Sequence, residues 1–262
     1  MNRKILLLLL SLSAMFLNGC TGINKVSPCD VAIGSHTAVT PVPRPNKEGW
    51  MKRHQTMVDR IAQGNVDLLM IGDSITAGWE KSGKTVWDKY YASRNAVNLG
   101  IGGDRTEHVL WRLENGEIEN IHPKLAVLLI GTNNSGGEQY SAEQIADGIK
   151  AIVCTLRAKL PKTKVLILAI FPRGDVVQRA EKENNATPNA QWAKNDRASQ
   201  IASQVADGKM IFFLDINKAL LNEQGELTRE VMPDLLHPKE KGYQLWAEAM
   251  EPTIAKLMGE KK

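Results

Sequence analysis

The stretch Val66-Asp67-Leu68-Leu69-Met70-Ile71-Gly72-Asp73-Ser74-Ile75-Thr76 decides the fold. Leu68 to Ile71 is a continuous apolar run closed by a glycine, without the polar alternation of a strand that keeps one face in water. That is the pattern of a short strand covered on both faces. A helix opens after Gly72. A serine at such a boundary either caps the helix or holds its hydroxyl out beside the N–H groups of the helix start.

Four further runs end in the same way. Ala96 to Ile101 stops at Gly102-Gly103, Leu125 to Ile130 at Gly131, Lys164 to Phe171 at Pro172, and Met210 to Ile216 at Asn217. Helical patterns fall between them. Val86 to Ala92 is one, and Thr106 to Glu114 is another, opened by Asp104 with Glu107 three residues on in the manner of a capping box. Ser141 with Gln144 opens a third that reaches Leu160 before Pro161; Gln191 to Ala206 and Lys241 to Met258 follow. Ahead of the first strand, Trp50, Met57, Val58, Ile61 and Ala62 share a helical face that stops at Gly64-Asn65. Strand and helix alternating five times predict an α/β fold: a three-layer α/β/α sandwich around a five-stranded parallel sheet. In such sheets ligands bind at the carboxyl ends of the strands, so the residues just after each strand are where chemistry belongs.

The 262 residues are 43% hydrophobic and 24% charged, which excludes a wholly disordered chain. A net charge of +4 without any Lys/Arg block gives no ground for a nucleic-acid partner. Three cysteines without CxxC spacing make neither a disulfide scaffold nor a structural zinc site. With no HExxH or paired Cys/His spacing, no metal and no cofactor is expected.

At the N-terminus Arg3 and Lys4 precede the apolar run Ile5 to Leu17, too short for a span of about 20 residues but suited to a signal peptide. Its end, Leu17-Asn18-Gly19-Cys20, resembles the lipobox of bacterial lipoproteins, in which the cysteine is lipidated and becomes the new N-terminus. The expected organisation is a lipoprotein-type signal peptide over 1–19, a tether over 20–46 and one folded domain over 47–262. Cys20 is then the lipidation site and the protein is anchored to a bacterial membrane outside the cytoplasm. An ordinary secretory signal, giving a secreted or periplasmic protein, is the alternative. The tether holds Pro28, Pro41, Pro43 and Pro45 without an apolar period and reads as an extended spacer. Cys29 lies in it. Cys154, in an apolar helical stretch, reads as a small core residue; a Cys29–Cys154 bridge is open to the pair outside the cytoplasm.

Each strand end carries a motif. Gly72-Asp73-Ser74-Ile75-Thr76 is not G-x-S-x-G, because Thr76 takes the place of the second glycine. Gly100-Ile101-Gly102-Gly103-Asp104-Arg105 lacks the last glycine of a dinucleotide loop; its glycines instead let the backbone approach a small ligand, with the Gly103 N–H as a candidate oxyanion donor. Gly131-Thr132-Asn133-Asn134 offers a carboxamide, which donates without carrying charge and so suits a transient oxyanion. Asp234 and His237 stand three apart in a turn before the last helix, a spacing at which a carboxylate can hold Nδ1–H and leave Nε2 free. His36, His54, His108 and His122 read as structural.

Four blocks in order, Gly72-Asp73-Ser74-Ile75, Gly103, Asn133 and Asp234-x-x-His237, resemble the SGNH, or GDSL-like, hydrolases. Asn98 to Asp104, His108 to Glu117, Gly131 to Asn134 and Phe171 to Gly174 are similar to one branch of that family, the catalytic subunits of platelet-activating-factor acetylhydrolase and their bacterial relatives. The resemblance covers roughly residues 48–258 and implies a flavodoxin-like arrangement of the sheet. It implies a serine esterase in which Ser74 is the nucleophile, His237 the general base and Asp234 its orienting partner. The N–H groups of Ser74 and Gly103 and the Asn133 side chain would form the oxyanion hole. Ile75, Thr132 and Leu236 would flank the acyl group, where bulky side chains suit acetyl better than a long chain; ordinary core packing is the other reading of the same three. A small-molecule or carbohydrate ester is the implied substrate, and pairing of two copies into a homodimer is implied as well. A lysophospholipid ester or thioester is the alternative substrate, and a non-catalytic glycan-binding lipoprotein the alternative of a different class. The segment from Asp175 to Ala193 is longer than in the mammalian subunits, and the signal and tether are absent from them.

Overall fold

The computed structural model describes residues 29, 33–44 and 48–260. The signal peptide expected over 1–19 and the Cys20 site lie outside the described residues. Five strands, β1 (Leu68–Gly72), β2 (Ala96–Gly100), β3 (Leu125–Leu129), β4 (Lys164–Leu168) and β5 (Ile211–Leu214), form one parallel sheet in the order β2-β1-β3-β4-β5. The apolar runs outlast the strands because their last residues stay buried in the loops above the sheet, as Ile101, Ile130 and Phe171 do.

Alternation along each strand divides the core in two. Leu69, Ile71, Ala126, Leu128, Val165 and Ile167 face residues of α1 (Glu48–Ala62), α4 (Thr106–Glu114), α5 (Ala142–Lys159) and α7 (Ala190–Ala202). Leu68, Met70, Leu125, Val127, Leu166 and Leu168 face α3 (Lys84–Tyr90) and α8 (Glu240–Met258). Each Leu, Ile, Val and Met among them contributes about 1.5–3 kcal/mol by leaving water, so the sheet is fixed from both sides and the three expected layers result. Two short helices, α2 (Ser74–Ala77) and α6 (Val176–Ala180), lie above the sheet's carboxyl edge.

Register brings three loops to one place. Gly72 of β1 pairs with Gly100 of β2 on one side and Leu129 of β3 on the other, so the three strands end level. The chain leaves β1 to one side for β2 and then crosses back for β3, which opens a crevice above the reversal. A Cβ on Gly100 would sit 2.2 Å from the Ala77 backbone nitrogen; only glycine lets the end of β2 come against α2. From the other side Tyr243 of α8 donates its hydroxyl to the Ile75 carbonyl at 2.8 Å, and Trp79 packs on Tyr243 and Trp246 with ring centroids 4.5 and 4.7 Å away.

Three expectations need correction. Residues 33–44 are not a free spacer: Ala38 is fully buried, its carbonyl accepts the Thr106 hydroxyl at 2.8 Å, and His36 Nε2 lies 3.2 Å from Asp147 Oδ2. Cys154 is not a thiol in the core but is bonded to Cys29, which ties this strap to α5. Asp104 does not cap α4. The cap is Arg105, whose N–H donates to His108 Nδ1 at 3.0 Å, while Asp104 turns inward to buried cations and donors.

Candidate active site

Asp73 turns the chain out of β1 and caps α2, accepting the Ile75 N–H at 2.9 Å. This geometry leaves Ser74 as the first residue of the helix, with its hydroxyl toward the crevice. Its Oγ lies 2.9 Å from His237 Nε2, and His237 Nδ1 lies 2.8 Å from Asp234 Oδ2. The other carboxylate oxygen, Asp234 Oδ1, accepts the N–H groups of His237 at 2.7 Å and Leu236 at 3.1 Å. Burial pushes the Asp234 carboxyl up. The hydrogen bonds from His237, its charge and the Leu236 N–H outweigh that and hold the group well below the usual carboxylate range. Asp234 is therefore an anion, Nδ1 carries the proton, and Nε2 is left to accept from Ser74.

The turn that carries this pair is strained. Leu235, between Asp234 and Leu236, has φ of 55°, a left-handed conformation that costs a branched residue about 1 kcal/mol or more. It is held by full burial of its side chain and by the Gly174 N–H, which donates to its carbonyl at 2.9 Å. Arg179 of α6 adds two bonds to the same turn, from Nε to the Asp234 carbonyl at 3.0 Å and from Nη2 to Asp234 Oδ2 at 3.3 Å.

The loop after β2 passes beside Ser74: a Cβ on Gly102 would stand 3.7 Å from the Ser74 Cβ. The Ser74 and Gly103 N–H groups have no acceptor among the described residues. Gly103 has φ of +77°, the left-handed region where a side chain is disfavoured. Asn133 does not point its amide into open space. Its Nδ2 donates to the Asp104 carbonyl at 2.8 Å and to Asp73 Oδ2 at 3.3 Å, so it ties together the loops after β1, β2 and β3. Asp73 itself is buried to 1% exposure, and burial raises its carboxyl to about 7. The Asp104 charge adds to the rise; the Ile75 N–H and the charges of His237 and Arg173 oppose it.

Of the expected acyl-side residues, Ile75 and Leu236 are buried in one apolar cluster under the site. Thr132 is buried too, and its hydroxyl and carbonyl both accept from Arg173 Nη1 at 3.0 Å. Burial pushes the Arg173 guanidinium down to about 10.

Below the loop that follows β2 lies a buried ionic group that the sequence reading did not find. Asp104 accepts from Arg112 Nε at 2.8 Å and from Trp50 Nε1 at 2.6 Å. Arg112 also donates to Glu117 and, at 3.2 Å, to the Gly72 carbonyl at the end of β1. His54 Nδ1 lies 2.8 Å from Glu117. Asp104, Arg112 and Glu117 have no exposed surface. The available signal was that His54 and Arg112 sit beside the apolar positions of their helices, with Glu117 in the turn after α4, but polar residues there read equally well as solvated. His108 accepts the Arg105 N–H, and burial pushes its imidazole down to about 4, which keeps it neutral. No group of metal-ligating side chains occurs among the described residues.

Residues 70–245 match the GDSL-like Lipase/Acylhydrolase family. The chain belongs to that family. As a member of it, the protein is similar along most of its length to Platelet-activating factor acetylhydrolase IB subunit alpha1 of Bos taurus: 34% identity over 221 residues, 84% of this chain and 88% of the relative. Among solved structures it shares its fold with a GDSL-like lipase from Bacteroides thetaiotaomicron, at a TM-score of 0.60 and 19% identity over 78% of this chain and 97% of the other. An acetylxylan esterase from Geobacillus stearothermophilus, solved as a catalytic mutant, shares the fold at a TM-score of 0.56 and 18% identity over 76% and 96%. The GDSL membership supports an acylhydrolase.

Proposed function

We propose that this protein is a serine carboxylic-ester hydrolase for short, chiefly acetyl, acyl groups. The observation that carries the reading is the relay from Ser74 Oγ through His237 to the Asp234 carboxylate, at 2.9 and 2.8 Å, beside two unpartnered N–H groups. Ser74 attacks the ester carbonyl as Nε2 of His237 takes its proton. The oxyanion is held by the Ser74 and Gly103 N–H groups and the Asn133 amide. His237 then returns the proton to the leaving alcohol, and water repeats the sequence on the acyl-enzyme. General acid–base work of this kind contributes about 10²–10⁴-fold, and each oxyanion donor about 10²–10³-fold.

Buried Ile75 and Leu236, with Thr132 fixed by Arg173, support a shallow acyl side. An acetylated carbohydrate is the preferred substrate class, in line with the acetylxylan esterase neighbour and with an envelope setting. Anchoring at Cys20 outside the cytoplasm is part of the same proposal, supported by the Cys29–Cys154 bond, since such bonds persist in oxidising compartments. Ser74→Ala and His237→Ala are expected to abolish turnover of p-nitrophenyl acetate. Full activity in purified Ser74→Ala removes the mechanism; a preference for decanoate over acetate removes the short acyl side. Acetylated oligosaccharides and lysophospholipids assayed side by side decide the leaving group.

A further inference from the structure

We infer that Arg44, ahead of the hydrolase fold in sequence, is a positioning residue for the oxyanion loop, which makes the strap over 33–44 a working part of the site. The inference rests on the esterase reading above and deepens it. Arg44 Nη1 donates to the Gly102 carbonyl at 3.0 Å. That carbonyl belongs to the peptide whose other end is the Gly103 N–H, so a bond to one end fixes the direction of the other. The same guanidinium stands 2.9 Å from where a Cβ on Gly103 would lie, and 3.6 Å from Asp104 Oδ1. It thus touches three consecutive residues of the loop and holds the positive-φ turn from outside.

Charge gives Arg44 a second role. Asp104 and Glu117 are two buried carboxylates, and Arg112 is the one buried guanidinium between them. At Asp104, the end nearest the reacting carbonyl, Arg44 is the one further cation among the described residues, since His108, 4.0 Å away, is held neutral by burial. Without Arg44 the loop would rest on surplus negative charge where a further negative charge must develop in the transition state. The strap is built to deliver this side chain. The Cys29–Cys154 bond, buried Ala38 and the Val42 N–H donating to the Glu107 carbonyl at 3.3 Å hold it along α4 and α5 up to Arg44.

The test is the series Arg44→Ala, Arg44→Lys and Arg53→Ala in the full chain, assayed on p-nitrophenyl acetate with Ser74→Ala alongside. Arg53 lines a surface pocket together with Arg44 and Gly102 but bonds Glu80, at 2.6 Å, and not the loop. Arg44→Ala is expected to lower kcat by about 10- to 100-fold, less than loss of a donor itself, because the donor remains but is misaimed. KM should stay within about threefold, since the oxyanion is absent from the bound ester. Arg44→Lys should recover part of the loss, guanidinium ion added to Arg44→Ala should raise kcat, and Arg53→Ala should match the parent. Arg44→Ala with kcat within twofold of the parent, while Ser74→Ala is dead, overturns this inference and leaves the esterase reading standing. An active Ser74→Ala overturns both. A loss in Arg44→Ala carried by KM alone also overturns it.

Discussion

Replacing Asp234 by asparagine puts the proposed relay to its sharpest test, because the structure dictates how the amide must sit. Oδ1 accepts two backbone N–H groups, from His237 at 2.7 Å and Leu236 at 3.1 Å. Asparagine can keep those bonds only with its carbonyl oxygen there, which puts its NH₂ in the place of Oδ2, 2.8 Å from His237 Nδ1. Arg179 Nη2, 3.3 Å from the same point, also requires an acceptor, so the substitution brings donors together. The imidazole escapes by moving its proton to Nε2, where it can no longer accept from Ser74. Both the general-base contribution, about 10²–10⁴-fold, and the carboxylate that stabilises the imidazolium are lost. The expected fall in kcat/KM at pH 7.5 is about 10⁴-fold, or about 5 kcal/mol of barrier. The melting temperature should fall only modestly, because the backbone bonds survive while the charge-assisted ones to His237 and Arg179 are lost. Steady-state kinetics on p-nitrophenyl acetate with a parallel thermal melt make the measurement. Asp234→Asn within tenfold of the parent, correctly folded, would refute the tautomer argument.

Two further outcomes follow from the fold. Burial raises Asp73 to about 7 from an ordinary value of 3.8, so the folded chain binds this proton more tightly than the unfolded one. Stability then falls as pH rises from about 4 to about 7, by on the order of 4 kcal/mol from this group. Urea unfolding at pH 5 and pH 8 should show a smaller difference in Asp73→Asn than in the parent; equal differences contradict the assignment. The Cys29–Cys154 bond closes a separation of 125 residues and is worth about 2–4 kcal/mol. Cys154→Ser should lower the urea midpoint accordingly, and two alkylatable thiols at these positions in the unreduced parent would show the bond to be absent.

The strands and most helices were legible because burial on both faces of a parallel sheet writes itself as short apolar runs. The level ends of β1, β2 and β3 then carried Ser74, Gly103 and Asn133 to one edge without further information. What stayed illegible was contact between charges far apart in sequence. Arg112 reads as one more polar residue on α4 until Asp104 and Glu117 are seen to enclose it. The strap failed for a related reason: its prolines read as spacing, nothing local to Arg44 announces a partner 58 residues away, and the Cys29–Cys154 bridge was the lesser of two readings of its cysteines. Arg179 was hidden because α6 lies in the stretch where the likeness to known subunits lapses and its exposed Val176 and Val177 give no buried face to read.

The bond between Cys29 and Cys154 also sets a leash. Measured along the chain, α1 begins 28 residues after Cys20, which would let a domain swing out about 100 Å. Bonded at Cys29, the same domain is joined to Cys20 by nine residues, at most about 30 Å of chain. With Cys20 seated in a bilayer as proposed, the domain would stay close to its own membrane, and reduction of the link would move the point of attachment only as far as the docked strap at His36 and Ala38, less than doubling the reach.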